Sequence, residues 1–569
     1  MAQAQDLAAR VFPDDIFNLA DIALEVARKD PERVAVIEPQ GRDASGAWRY
    51  RRYTYAELSR AAESLAPGLR EIGVAEGTRT VFMAPPSFEA SAVGLALTRV
   101  GAFQIWIDPS VGLRNVGERL RRVEPEAFVG IPIAHLGRVA FGWGPRILRK
   151  SIVVGGPGFP FGHSVASLYR DAPSPPPQPA VRPEDPVAIL YTTGSTGPAK
   201  PTLYSHRNFV NVYRIAHRSW RFDEADGLPI DMAAFPAFFF IALSAGGTVV
   251  VPPIHFSRQG PADADPQAIL EVVRDCGVKS MFASPALLEN LARHAGRHRI
   301  QAPSLERIVG GGAPIRGELM KSLLEMMGER GEVFANYGAT EALPTTEMGA
   351  REVVAETWAK TQNGAGICVG RSFPGVEVRI IRITEAVIES IEDAAILPPG
   401  EIGEIIVRGA HISEAYFRDE ANTKKHKIRD PNGGIWHRIG DAGYLDDGGR
   451  LWVTGRVGQR VEAEGETLFS IPCEAIFDAH PKVRRSGLVG VPSKGAQLPV
   501  ICVEPHSMRD ATPELREELL ALAERHATTR GIRHLLFHPK LPVDPRHNSK
   551  IERPRLAIWA AKQLADEAR

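Results

Sequence analysis

The sequence predicts an α/β protein: a large N-terminal domain of mostly parallel sheets that includes a β subdomain, then a small, mobile α+β C-terminal domain. Three observations predict it. Strand-like and helix-like stretches alternate through the middle of the chain; short strands and tight turns crowd residues 401–456; and a fresh alternation begins after Arg456. A chain of 569 residues is too long for one core. The expected division is 1–455 and 456–569.

VAILYTT (187–193) is a β-branched, apolar run of the kind that forms a buried strand, and a glycine-rich loop follows it. His206–Trp220 has helical spacing, as do Gln267–Asp275, Pro285–Ala295 and Glu318–Met327. Between them Lys279–Ala283, Leu305–Val309 and Glu332–Asn336 read as strands. Such alternation builds parallel βαβ units with both sheet faces covered. Three loops, GSTGPAK (194–200), GGGAP (310–314) and YGATE (337–341), each follow a predicted strand. Ligands of open parallel sheets bind beyond the carboxyl ends of the strands, so the three loops are expected to converge. In 401–456 the turn DDGG (446–449) predicts antiparallel pairing. PSPPPQP (173–179) is too rich in proline for helix or central strand and reads as a stiff connector.

With 68 basic and 68 acidic residues the net charge is +0, which removes the electrostatic argument for nucleic acid or an anionic membrane. Cys276, Cys368, Cys473 and Cys502 are far apart, forming neither a disulfide framework nor a zinc motif. No apolar run reaches the ~18 residues of a transmembrane helix, and the N-terminus has no signal-peptide pattern. These features point to a cytoplasmic protein.

Thr192, Thr193, Gly194, Ser195, Thr196, Gly197, Pro198, Ala199 and Lys200 have the composition of an anion cradle: glycines that let backbone N–H groups approach phosphate, hydroxyl donors and a cation. It is not a P-loop, since Ala199 and Pro201 stand where glycine and a hydroxyl residue would be needed. Alone, such a segment is equally a surface turn. YTTGSTGPAK, however, closely resembles the signature loop of the adenylate-forming superfamily of acyl-CoA synthetases, adenylation domains and luciferases. Four further motifs follow in that superfamily's order.

The resemblance implies ATP and Mg²⁺ and assigns roles. Gly312, Ala313 and Pro314 resemble the turn lining the adenine and acyl-carboxylate region. Asn336, Tyr337, Gly338, Ala339, Thr340 and Glu341 resemble the YGxTE motif. It implies Tyr337 stacked on adenine, Asn336 near the amino edge, Thr340 on phosphate and Glu341 on Mg²⁺, a hard cation that wants carboxylate oxygen. Glu341 also reads as an acid at a helix N-terminus. Asp441, in WHRIGD, is implied to accept from both ribose hydroxyls, and Arg456 to contact the ribose just before a hinge. Lys550, in NSKI, is implied to reach the substrate carboxylate and α-phosphate.

The second half-reaction departs from the acyl-CoA synthetase pattern. Those enzymes usually carry an acidic hinge residue and then an isoleucine–lysine pair; Gln459, Val461 and Glu462 stand here. Phe239 stands roughly where they often have histidine. YGATEALP (337–344), GICVGR (366–371), LFSIPCEAIF (468–477) and PVDPRHNSKI (542–551) instead resemble the OleC-type β-lactone synthetases of bacterial long-chain olefin biosynthesis. That group implies a long-chain 2-alkyl-3-hydroxyalkanoic acid whose own hydroxyl attacks the adenylate, with His547 a candidate to assist its deprotonation. FPAFFF (235–240) and Trp220 read as an acyl tunnel or as ordinary core packing. A fatty acyl-CoA synthetase and an inactive adenylate-binding scaffold are the competing readings. The resemblance implies neighbouring pathway enzymes and leaves physical association with them open.

Overall fold

The computed structural model describes residues 18–107, 112–143, 150–171, 181–192, 198–220, 229–235, 238–256, 259–260, 263–493, 495–543 and 551–567. The proline-rich 173–179 segment lies outside them. Among the described residues the strands form sheets of fourteen, eight, three and two strands. The largest begins at an antiparallel edge, Trp48–Thr54, and continues through six parallel strands from Val34–Arg42 to Glu332–Ala339. It then reverses into an antiparallel half: Ala342–Gly349, Ile367–Ser372, Leu451–Arg456, Ile435–Leu445, Gly403–Arg408 and Glu377–Ile381. The predicted α/β body and its β portion are both present.

The second sheet holds Pro186–Tyr191 parallel to Phe103–Trp106, then Arg79–Met83, Ala127–Gly130 and Ser151–Val153. On its other side lies a strand the sequence reading missed. Pro201–Ser205 pairs antiparallel with Pro186–Tyr191, so the glycine-rich segment joins two antiparallel strands rather than a strand and a helix. The helix His206–Ser219 starts directly after it, with a reciprocal cap between Ser205 and Asn208. Helices His206–Ser219 and Phe239–Ser244 pack between the sheets in a core shared with Leu65, Val93, Leu97 and Val249.

Most predicted elements stand within three residues of their expected ends: Pro266–Cys276, Ser280–Ala283, Pro285–His298, Arg307–Gly310 and Gly317–Met327. DDGG closes its hairpin as expected, with Asp446 Oδ1 accepting from the Gly448 and Arg450 amides. After Arg456 come the small hairpin Val461–Ala463/Glu466–Leu468 and the three-stranded sheet Val483–Pro492, Gln497–Pro505 and His534–Phe537. These strands have their own apolar core around Phe477, Leu488, Ile501 and Leu519. All four cysteines are buried and unpaired.

Candidate active site

The site lies where the two large sheets meet. The glycine-rich segment is clamped at both ends: the Thr192 amide donates to the Lys200 carbonyl at 3.1 Å, and the Lys200 amide to Thr192 Oγ1 at 3.0 Å. Thr193, Gly194, Ser195, Thr196 and Gly197 lie outside the described residues, as do His547 and Lys550.

The YGATE segment differs from its expected form. Tyr337, Gly338 and Ala339 belong to the strand Glu332–Ala339, and only Thr340 and Glu341 form the turn into Ala342–Gly349. Hydrogen bonds to the antiparallel neighbour carry the strand past the end expected from its apolar run. No helix begins at Glu341, so a helix dipole is not what it serves. Gly338 makes the hairpin possible: a Cβ there would lie 2.3 Å from the Ala342 carbonyl oxygen. Gly312 holds its turn at φ +90°, a region closed to most side chains. A Cβ on the preceding Gly311 would lie 3.6 Å from the Asn336 carbonyl oxygen, so the GGGAP and YGATE segments are neighbours.

Asp441 collects two of the predicted residues. Its Oδ2 accepts from the Tyr337 hydroxyl at 2.7 Å and its Oδ1 lies 3.0 Å from Arg456 Nε. The Asp441 carboxylate holds the Arg456 guanidinium above its ordinary pKa, while burial, reinforced by Asp441, pushes the Tyr337 hydroxyl well up. Asn336 Oδ1 is buried and has no hydrogen-bond partner among the described residues. It is an acceptor waiting for a donor.

The turn is tied to the second sheet. The Tyr204 hydroxyl donates to the Thr340 carbonyl, and the Ser413 amide to the Glu341 carbonyl at 3.0 Å. Ser413 Oγ in turn donates to the Leu203 carbonyl at 2.8 Å. Glu341 is buried, and its Oε1 accepts from the Tyr416 hydroxyl at 2.5 Å. Lys200 Nζ and Lys427 Nζ each stand 5.4 Å from the Tyr416 ring centre. Burial pushes the Lys427 ammonium down to about 7, with Glu341 opposing, and lowers Lys200 in the same way. Burial also takes His426 down to about 4 and His437 well below its ordinary value.

Sequence reading missed Tyr204, Ser413, Tyr416 and Lys427. Nothing periodic marks Lys427 among the charges of KKHKIRD; it is buried because its short strand, Lys427–Arg429, pairs with Ile435–Leu445 beneath the turn.

Among the described residues no group of three or more His, Cys, Asp or Glu side chains is placed to enclose a metal. A single buried carboxylate, that of Glu341, fits Mg²⁺, which keeps phosphate and water ligands and needs only one or two from protein. No helix of the described residues is long and apolar enough to cross a membrane.

The clamp between Thr192 and Lys200, a carboxylate on a tight hairpin and an Asp–Arg–Tyr cluster beside an orphan amide suit a nucleotide-binding enzyme. The chain belongs to the AMP-binding enzyme family, which it matches over residues 24–417. Within it, the chain is 37% identical to the olefin beta-lactone synthetase of Stenotrophomonas maltophilia, over 97% of this chain and 99% of that protein. The olefin beta-lactone synthetase of Xanthomonas campestris pv. campestris is also 37% identical, over 96% and 98%. The fold resembles that of the amide bond synthetase McbA from Marinactinospora thermotolerans, with TM-score 0.75 and 24% identity over 98% and 99% of the two chains.

Proposed function

We propose that this protein uses ATP to activate a long-chain 2-alkyl-3-hydroxyalkanoic acid and then closes it to a β-lactone. The observation that carries the reading is full-length similarity to two olefin beta-lactone synthetases, joined to a site whose parts suit adenylation. The substrate carboxylate attacks the α-phosphorus of ATP in line and pyrophosphate departs. The 3-hydroxyl then attacks the acyl carbonyl, loses its proton, and AMP leaves as the four-membered ring closes.

Each residue has a task. Asn336 Oδ1 accepts from the adenine amino group, which would satisfy its missing hydrogen bond. Tyr337 stacks on the base while its hydroxyl, with Arg456, fixes Asp441 to receive the ribose hydroxyls. Gly312, Ala313 and Pro314 leave room for the flat ring and the acyl carboxylate. The 192–200 segment with Lys200 cradles phosphate, joined by Thr340. Glu341 holds Mg²⁺, which supplies neutralisation of phosphate charge when bound. Tyr416 keeps that carboxylate oriented, and Lys427 donates to the carbonyl of Ser413, whose amide holds the Glu341 carbonyl.

Residues 456–569 act as a lid that brings Lys550 to the reacting carboxylate and His547 to the hydroxyl. The altered hinge supports an internal nucleophile. Gln459 Oε1 accepts from Arg553 Nε at 3.1 Å, and Glu462 is engaged by Arg460 at 2.5 Å and Thr467 at 2.9 Å. An anionic side chain held there offers nothing to a pyrophosphate-bearing thiol such as CoA. The unpaired, buried cysteines agree with a reducing cytoplasm.

The test combines ATP, Mg²⁺ and a 2-alkyl-3-hydroxy acid without CoA. Pyrophosphate, AMP and lactone in equal amounts are expected. Turnover only with CoA, yielding a thioester, would overturn the reading. Absence of any ATP–pyrophosphate exchange would leave only a scaffold. In Lys550→Ala the exchange should fall on the order of 10²- to 10³-fold, as when one charge-stabilising group is removed.

A further inference from the structure

An acid alkylated at C2 and carrying a chain at C3 presents two apolar arms that leave the carboxylate in different directions. The aromatic run sends its rings to both sides of the helix Phe239–Ser244. Phe238 stacks on Phe282 of the larger sheet, with centroids 4.1 Å apart, close to Gly311. Phe240 points to the smaller sheet and meets Trp106 edge-on at 6.2 Å.

On that second side lies a cavity of about 60 Å³, bounded among others by Gly94, Trp106, Leu190, Phe209, Tyr213 and Phe240. Protein interiors are otherwise packed with few voids larger than a water molecule. Its wall is mostly apolar. The main polar intrusion is Gln104, whose amide nitrogen donates to the Gly94 carbonyl at 3.0 Å and to Thr98 Oγ1 at 3.1 Å.

Two of its walls lead toward the site. Leu190 is two residues from Thr192, the clamp of the phosphate loop. Phe209 packs edge-on against Tyr204 at 5.0 Å, and the Tyr204 hydroxyl holds the Thr340 carbonyl. Two aromatic rings in contact, Phe209 and Tyr204, thus connect the cavity wall to the turn that carries Glu341.

We propose that this cavity, on the Trp106–Phe240 side, receives one alkyl arm of the substrate, while the other arm lies along Phe238 and Phe282 beside Gly311. The two arms are then measured by different walls, and the length limit of each is set independently. The proposal rests on the reading of the substrate as a doubly branched acid. The limiting residue on the cavity side is Phe240: its ring stands over Gly94, where an added Cβ would lie 3.0 Å from its Cζ.

The test measures pyrophosphate release from two series of 2-alkyl-3-hydroxy acids, one lengthening the C2 arm and one the C3 arm. Phe240→Ala should extend the preferred length in one series only, with kcat/KM gaining about fourfold per methylene newly buried. Gly94→Ala should shorten the preferred length in that same series. Stabilisation of each variant by ATP in thermal unfolding shows that its fold and nucleotide site are intact. Unmoved length profiles in both folded variants, or equal shifts in both series, would overturn the proposal. If pyrophosphate release follows arm length but no lactone appears, the cavity assignment stands and the lactone reading falls.

Discussion

At the scale of single residues, the site is built by side chains that hold one another before any substrate arrives. Asp441 shows it: a carboxylate with both oxygens engaged, by Tyr337 and by Arg456, still has lone pairs for a diol. Asp441→Asn keeps the shape but loses the charge and one acceptor. The expected result is a fall of about 10- to 100-fold in kcat/KM for ATP, the worth of a hydrogen bond to a charged group. Steady-state kinetics with ATP varied reads it, and an unchanged value would remove Asp441 from the ribose site. Asp231 makes a different point. It is fully buried between parallel strands, accepts only from Ser280 among the described residues, and burial pushes its carboxyl up to about 7. The unfolded chain releases this proton near pH 4, whereas the folded chain keeps it until about 7. Stability from this group is therefore complete below pH 4, declines through the window between, and is flat above it. Asp231→Asn should cancel a loss of about 1–3 kcal/mol between pH 5 and 8. Denaturant unfolding of both proteins at the two pH values checks it; a constant difference between them would sink the assignment.

Elements show why some of this was legible and some was not. The parallel strands and their helices could be read because each buries a continuous apolar run or stripe, and burial is what residue pattern records. Pro201–Ser205 was not read, since PTLYS begins with proline and is short; only its pairing with Pro186–Tyr191 makes it a strand. The same holds for Tyr337–Ala339, whose strand state comes from the hairpin with Ala342–Gly349. Named motifs gave the residues proposed to hold the nucleotide, while Tyr416 and Lys427 come from a stretch whose charges look solvated until the chain folds over the turn. The hairpin is the element on which the site depends most. In Gly338→Ala the new methyl would stand 2.3 Å from the Ala342 carbonyl, a backbone atom that cannot step aside alone. The strands must part, displacing Thr340 and Glu341. Adenylation is expected to fall at least tenfold, with a stability loss of about 1–3 kcal/mol. Full activity at an unchanged melting temperature would show the turn to be tolerant.

For the whole molecule, the proposed lid raises the question of how the part after Arg456 would deliver Lys550 to a site built from the part before it. Arg553 is the place to look. It opens the final helix, Arg553–Glu567, three residues beyond Lys550. Its guanidinium donates to Gln459 at 3.1 Å, to Glu474 Oε2 at 3.0 Å and to the Leu488 carbonyl at 3.0 Å. One side chain thus fastens the segment after Lys550 to the hinge, to the helix Ser470–Asp478 and to the small sheet. Arg553→Leu keeps the apolar stem but frees all three partners and leaves Glu474 without its cation. Kcat for pyrophosphate release should fall about 10- to 100-fold, because a reacting group displaced by an ångström loses most of its effect. ATP affinity should stay within about twofold, since the proposed base and ribose contacts come from residues up to Arg456. Arg553→Lys, which restores charge but not the forked geometry, should recover only part of the rate. Isothermal titration with ATP alongside single-turnover kinetics separates these quantities. Equal losses in affinity and rate would mean that Arg553 supports the fold in general, and an unaltered rate would mean that Lys550 is positioned by something else.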